Sequence, residues 1–153
     1  MREIERRCVA WRDRLLAHED RAARIHGDFH PFNILFEDAR PTLLDASRGT
    51  CGDPADDVTA LAVNYIAFAL DRPDGWAGLG PLWHRFWQAY AGARGEAVYA
   101  IAPPFFAWRA LVVCNPHFYP GFSAAARGAL LGLVECALET HHLDPQWADE
   151  LFR

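Results

Sequence analysis

Between residues 26 and 57 the chain sets out six polar side chains, His26, Asp28, Asn33, Asp45, Asp53 and Asp57, among glycines, prolines and short apolar runs. Asp28 and Asn33 stand in the stretch IHGDFHPFNILF, which Gly27 and Pro31 interrupt, and Asp45 follows a second apolar run. A carboxylate and a side-chain amide brought side by side make a hard-oxygen site. Such a site suits magnesium, which takes one or two carboxylates and leaves its remaining positions to phosphate oxygens and water. Asn33 and Asp45 can form that pair. Asp28, a short way off, is then placed to accept a proton from an attacking hydroxyl, a contribution on the order of 10²–10⁴ in rate.

For these groups to meet, the runs Ile34-Leu35-Phe36 and Thr42-Leu43-Leu44 must pair as a small hairpin, and the composition of Glu37 to Pro41 marks the turn between them. Upstream, residues 2 to about 23 read as one helix with Ile4, Cys8, Trp11, Leu15 and Leu16 on a stripe of period near 3.6. Downstream, Asp53 as N-cap, Pro54 at the first helical position and Asp56 and Asp57 in the first turn start a helix that runs to about Leu70. The segment Asp71 to Pro81 reads as a loop, and helical patterns follow at about 81–92, 103–114, 123–140 and 145–152. The expected class is α+β, mainly α: a helical bundle with a short β-hairpin carrying the loops that bear the chemistry. Trp83, Phe86, Trp87, Tyr90, Phe105, Phe106 and Trp108 are expected to fill its core.

The totals narrow the field. A chain of 153 residues is expected to form a single domain over 1–153. All fifteen basic residues are arginine, and the net charge is -5, so no clustered basic surface offers itself to nucleic acid. Cys8, Cys51, Cys114 and Cys136 show no metal-binding or redox spacing and are expected to be buried free thiols. The charged N-terminus does not read as a secretion signal, and the most apolar later stretch, Ile101 to Cys114, is too short for a bilayer and contains Arg109. No membrane association and a cytoplasmic location are the expectation.

The run H-G-D-F-H-P-F-N resembles the catalytic loop of the aminoglycoside phosphotransferase family, the small-molecule branch of the protein-kinase-like fold, in which H-G-D-x-x-x-x-N stands where protein kinases carry H-R-D-x-x-x-x-N. The later run D-A-S-R-G-T-C-G-D-P-A-D-D-V is similar to that family's metal-Asp loop and the G-D-P-x-x-D helix start beyond it. The resemblance implies that Asp28 is the catalytic base and that Asn33 and Asp45 are magnesium ligands. It implies structural support from His26, which would brace the loop, from Asp53, which would hold it through backbone amides, and from Arg48 and Asp57. The cofactors it implies are Mg²⁺ and ATP, and the reaction is transfer of the γ-phosphoryl group to a hydroxyl of a small molecule.

The strong match covers about residues 25 to 70. Such enzymes also carry an N-terminal nucleotide lobe with a strand lysine that grips the α/β-phosphates. These residues contain no lysine, so the chain reads as the C-terminal lobe only, with the nucleotide lobe absent and the cofactor-binding residues unknown. Three accounts follow: a piece of a longer phosphotransferase, half an enzyme completed by a separate N-lobe or a second copy, or a non-catalytic binding module. Acidic residues such as Asp71, Asp74, Glu135 and Glu139 would suit a cationic acceptor. A metal-dependent hydrolase using His26 and His30 as ligands is a fourth account, against which Gly27 and Pro31 count, since they break the helical spacing of a zinc pair.

Overall fold

The computed structural model describes residues 2–153 apart from Ser47, Arg48, Thr50 and Pro73. The chain opens with helices α1 (Arg2–Ala10) and α2 (Arg12–Leu16), then a 3-10 turn at Glu19–Arg21 and strand β1 (Ala23–Arg24). A second 3-10 turn, Pro31–Asn33, leads into the hairpin of β2 (Ile34–Glu37) and β3 (Arg40–Leu43), and β4 (Cys51–Gly52) follows. The rest is helical: α3 (Ala55–Leu70), α4 (Gly75–Arg94), α5 (Ala97–Val113), α6 (Ala124–Thr140) and α7 (Trp147–Glu150). This is the mainly α class with a short hairpin that the residue pattern indicates. No described helix is long and apolar enough to cross a membrane.

The first helix is shorter than its stripe suggests. The Trp11 amide donates to the Cys8 carbonyl, a tightened turn that separates α1 from α2. Ile4 and Trp11 are buried, but Leu16 is exposed, and the following Ala17 to Ala22 offers no apolar face. Short helices in water persist only where packing supports them. The freed residues make β1, which pairs antiparallel with β4 in the register Ala23↔Gly52 and Arg24↔Cys51. A two-residue ladder leaves no periodicity to read. Its effect is to pin both ends of the segment 25–50 at the foot of α3.

Prolines inside helices are the second departure. The sequence pattern starts a helix at Pro103, yet α5 begins at Ala97 and carries Pro103 and Pro104 in its interior, both buried. A proline there has no N–H for the carbonyl four residues back. For Pro103 that carbonyl is Tyr99, and it accepts instead from the Leu143 amide at 2.8 Å. Likewise the expected loop at 71–81 is largely helix, because α4 starts at Gly75 and runs through Pro81. Trp76 anchors this turn by donating from Nε1 to Asp149 at 2.9 Å and stacking on Phe152, with ring centroids 4.4 Å apart. A Cβ at position 80 would lie 2.9 Å from the Trp76 ring, so Gly80 is what lets the indole lie against the helix.

The core is built from α1, α3, α4, α5 and α6, with Ile4, Ile66, Trp83, Trp87, Phe106, Leu130 and Val134 wholly enclosed. Of the aromatic group expected inside, Phe86 and Tyr90 pack on its edge, and Trp108 is exposed. The thiols are all free, but Cys51 and Cys136 are exposed and only Cys8 and Cys114 are half-buried, which corrects the expectation of four buried cysteines. Ser123 caps α6 by accepting from the Ala126 amide at 3.1 Å.

Candidate active site

The hairpin sets the first relation among the site residues. Its register pairs Ile34 with Leu43, and the ladder continues as the Leu44 amide donates to the Asn33 carbonyl at 2.9 Å. Asn33 and Leu44 are therefore opposite, and Asp45 is the next residue on. Asp45 sits at φ 52°, the left-handed region that Asp and Asn enter more readily than most residues. This brings the two halves of the expected metal pair to one end of the hairpin.

His26 makes the second relation. It is buried, its Nε2 donates to the Leu44 carbonyl at 2.8 Å, and its Nδ1 accepts from the Asp28 amide at 3.3 Å. These two contacts require the proton on Nε2 and the lone pair on Nδ1. One imidazole thus ties the backbone just before Asp45 to the backbone of Asp28. With both ring nitrogens so used, His26 is no metal ligand, which removes one of the two histidines of the hydrolase account. The loop between them turns at Gly27, whose φ of 82° favours glycine.

The loop is then held from α3. Asp57 accepts from the His26 amide at 2.6 Å with Oδ2 and from the Gly27 amide at 2.9 Å with Oδ1. Sequence reasoning gave that task to Asp53. Asp53 instead accepts from the Ala55 amide at 2.8 Å, capping α3, and pairs with Arg21 at 2.9 Å. The reason is position on the helix: Asp53 precedes the first turn and faces its free amides, whereas Asp57 lies one turn on, facing the loop. Arg48, the other expected support, lies outside the described residues.

Asn33 uses Nδ2 for two contacts, to the Asp28 carbonyl at 3.0 Å and to His30 Nε2 at 3.3 Å, so Oδ1 is the atom it would turn to a cation. Among the described residues no three His, Cys, Asp or Glu side chains are grouped to hold a metal by themselves. The donor set here is one carboxylate and one amide oxygen, which fits magnesium brought with a polyphosphate and does not fit an all-protein cage.

Asp28 itself is about five-sixths covered, with 16% of its side chain exposed. Its Oδ2 lies 3.9 Å from His30 Nε2, and its Oδ1 lies 3.5 Å from Arg109 NH1 on α5. Tyr119, from the turn between α5 and α6, has its hydroxyl raised above the usual tyrosine value by burial and further by the Asp28 charge, so it is within electrostatic reach. Burial also raises the Asp56 carboxyl; Arg109 opposes this, and Asp57 and Asp28 add to it.

Arg109 and Tyr119 carry no motif and were missed from sequence. The signal for Arg109 was present as a charge inside the most apolar run of the chain, because a cation buried there is costly unless it finds partners. Of the acids considered for a cationic acceptor, Glu139 pairs with Arg7 of α1 at 3.8 Å, and the same guanidinium donates to the Glu135 carbonyl. Those two belong to the α1–α6 seam. A cavity of about 700 Å³ is lined by His84, Glu96, Tyr99, His142 and Asp144, away from the loop. A cavity of about 410 Å³ does reach the loop, lined by His26, Phe29, Leu43, Asp57, Phe86 and Arg94.

No curated protein and no solved structure matches the chain significantly. A family model described as the phosphotransferase enzyme family does match, over residues 2–100, a span that takes in the loop, the hairpin, α3 and α4. With well over half of its 153 residues under that match, the chain belongs to the phosphotransferase enzyme family and is a phosphotransferase by descent.

Proposed function

We propose that the site transfers the γ-phosphoryl group of ATP to a hydroxyl of a small molecule with magnesium as cofactor. Asp28 takes the proton as the acceptor oxygen bonds to the γ-phosphorus and the bond to the β–γ bridging oxygen breaks, leaving ADP. Asn33 Oδ1 and the Asp45 carboxylate would hold the metal, which when bound would supply neutralisation of phosphate charge. His26 and Asp57 keep these groups in register. Phosphoryl transfer leaves the protein mainly positioning and electrostatics to supply, and that suits a rigid polar frame.

The observation that carries this reading is the pair of bonds meeting at Leu44: its amide on the Asn33 carbonyl and its carbonyl on His26, whose other nitrogen takes the Asp28 amide. Through them the base and both oxygen ligands belong to one frame. Leu35, Phe36, Leu43 and Leu44 are exposed on that hairpin. Their exposure supports a nucleotide and its covering element resting there, supplied by more of the same chain or by a partner. With no lysine among these residues, the cation that grips the phosphates is an arginine or comes with that element.

Calorimetry with ATP and magnesium tests the reading. The wild-type chain should give a binding isotherm that Asp45→Ala weakens strongly and that Asp28→Asn leaves nearly unchanged while losing turnover. A wild type silent toward magnesium and ATP, alone and with a supplied nucleotide lobe, would remove the phosphate donor and with it the proposal.

A further inference from the structure

Arg109 enters the loop from α5, far from it in sequence, and its side chain is only 12% exposed. Every face of the guanidinium has a partner. Nε donates to Asp56 Oδ1 at 3.1 Å, and NH2 reaches the same oxygen at 2.9 Å. NH2 also donates to the Gly27 carbonyl at 3.1 Å, and NH1 lies within ion-pair distance of Asp28 Oδ1, 3.5 Å away. Two elements therefore grip one cation, and the atom they leave over faces the carboxylate assigned as the base.

We propose that Arg109 is the positioning residue of Asp28, with Asp56 as the clamp that aims it. This rests on the phosphotransferase reading above. A planar guanidinium fixed along one edge by a carboxylate has a determined direction for its remaining nitrogen, whereas a lysine at the same place would supply charge without that direction. The Gly27 carbonyl bond adds a tie to the backbone immediately before Asp28, so that both the side chain and the peptide of the base are referred to α5. Asp56 and Asp57, adjacent in sequence, divide the work: Asp57 holds the loop amides directly, and Asp56 holds the loop through Arg109. The bundle thereby sets the orientation of a base carried on an irregular loop. Small misplacements of reacting groups lower rates steeply, so losing this reference should be read in turnover more than in affinity.

The test compares wild type with Arg109→Met and Arg109→Lys in the full chain. It measures ADP formation from ATP with magnesium, a supplied nucleotide lobe and a panel of hydroxylated small molecules, nucleotide affinity, and hydrogen exchange of the amides of residues 26–33. Arg109→Met should lower turnover by about tenfold to a hundredfold at nearly unchanged nucleotide affinity. It should also speed exchange across the loop while α4 and α6 keep their protection, and Arg109→Lys should recover part of both. Wild-type turnover and loop protection in Arg109→Met would overturn the assignment. So would a fall in turnover with loop exchange unaltered, since the arginine would then act on the reacting groups themselves. If Arg109→Met does not fold, Arg109→Lys decides by the same pair of readouts. Should the wild type form no ADP under any of these conditions, the phosphotransferase reading fails, and the exchange comparison alone still scores whether Arg109 holds the loop.

Discussion

In the helical bundle Trp83, Trp87, Phe106, Leu130 and Val134 show no exposed surface, while on the hairpin Leu35, Phe36 and Leu43 each expose half or more of theirs. The bundle is joined by apolar contact among α3, α4, α5 and α6. The loop region has little apolar burial of its own and is joined to α3 and α5 by directed polar bonds, Asp57 to two amides and Arg109 to the Gly27 carbonyl, while His26 to Leu44 ties the loop to its own hairpin. Apolar burial is strong and non-directional, whereas hydrogen bonds contribute modestly to stability but fix geometry. A site that must hold oxygen atoms in set directions is therefore built from the second and carried on the first.

The contrast is open to test by substitution in each region. In the bundle, Phe106→Ala should cost about 3–5 kcal/mol, since it empties a closed position edge-on to Trp83, with a urea midpoint shift as the measure. A loss near that of a surface change would mean the bundle is not what sustains the fold. Where α3 holds the loop, Asp57→Ala should cost less, about 2 kcal/mol for two amides left without their carboxylate. Exchange of the His26 and Gly27 amides should rise far more than that of α5. Equal acceleration everywhere would erase the distinction between the regions. At the start of α6, Ser123→Ala should cost about 1 kcal/mol through the lost cap and leave the loop amides unaffected.

The smallest effect concerns acid. Burial alone would raise Asp149, but hydrogen bonds from His84 and Trp76 outweigh it and hold the carboxyl below its ordinary value. A carboxyl depressed in the folded state adds stability above its unfolded pKa, and that share is lost as pH falls through the folded one. The group is partly exposed, so the share is about half a kcal/mol. Asp149→Asn should therefore flatten the acid limb of a stability profile below about pH 4.

How far each part was legible follows the same division. The hairpin and the start of α3 depend on residues adjacent in the chain, and their turn and cap chemistry was readable. So was the spacing of His26, Asp28, Asn33 and Asp45, of which the hairpin register brings Asn33 and Asp45 to one end and the His26 ring ties in Asp28. The helical interior of Pro103 was not readable, because its unbonded partner carbonyl is satisfied by Leu143, which belongs to another part of the chain. The exposure of Trp108 was hidden for a related reason: an aromatic residue on an apolar helix reads as core whichever way the helix turns.

Amino-acid order alone determined the local chemistry of this protein: which oxygen and nitrogen donors it carries, at what spacing, and on what kind of element, since turns, caps and short ladders are settled by near neighbours. Only the tertiary structure decided which of two aspartates one helical turn apart grips the loop, and that an arginine from an apolar helix meets Asp28, 82 residues after the glycine it also holds. Packing of α3 and α5 sets those partnerships, and the direction in which a packed helix presents its side chains is a property of the assembled core.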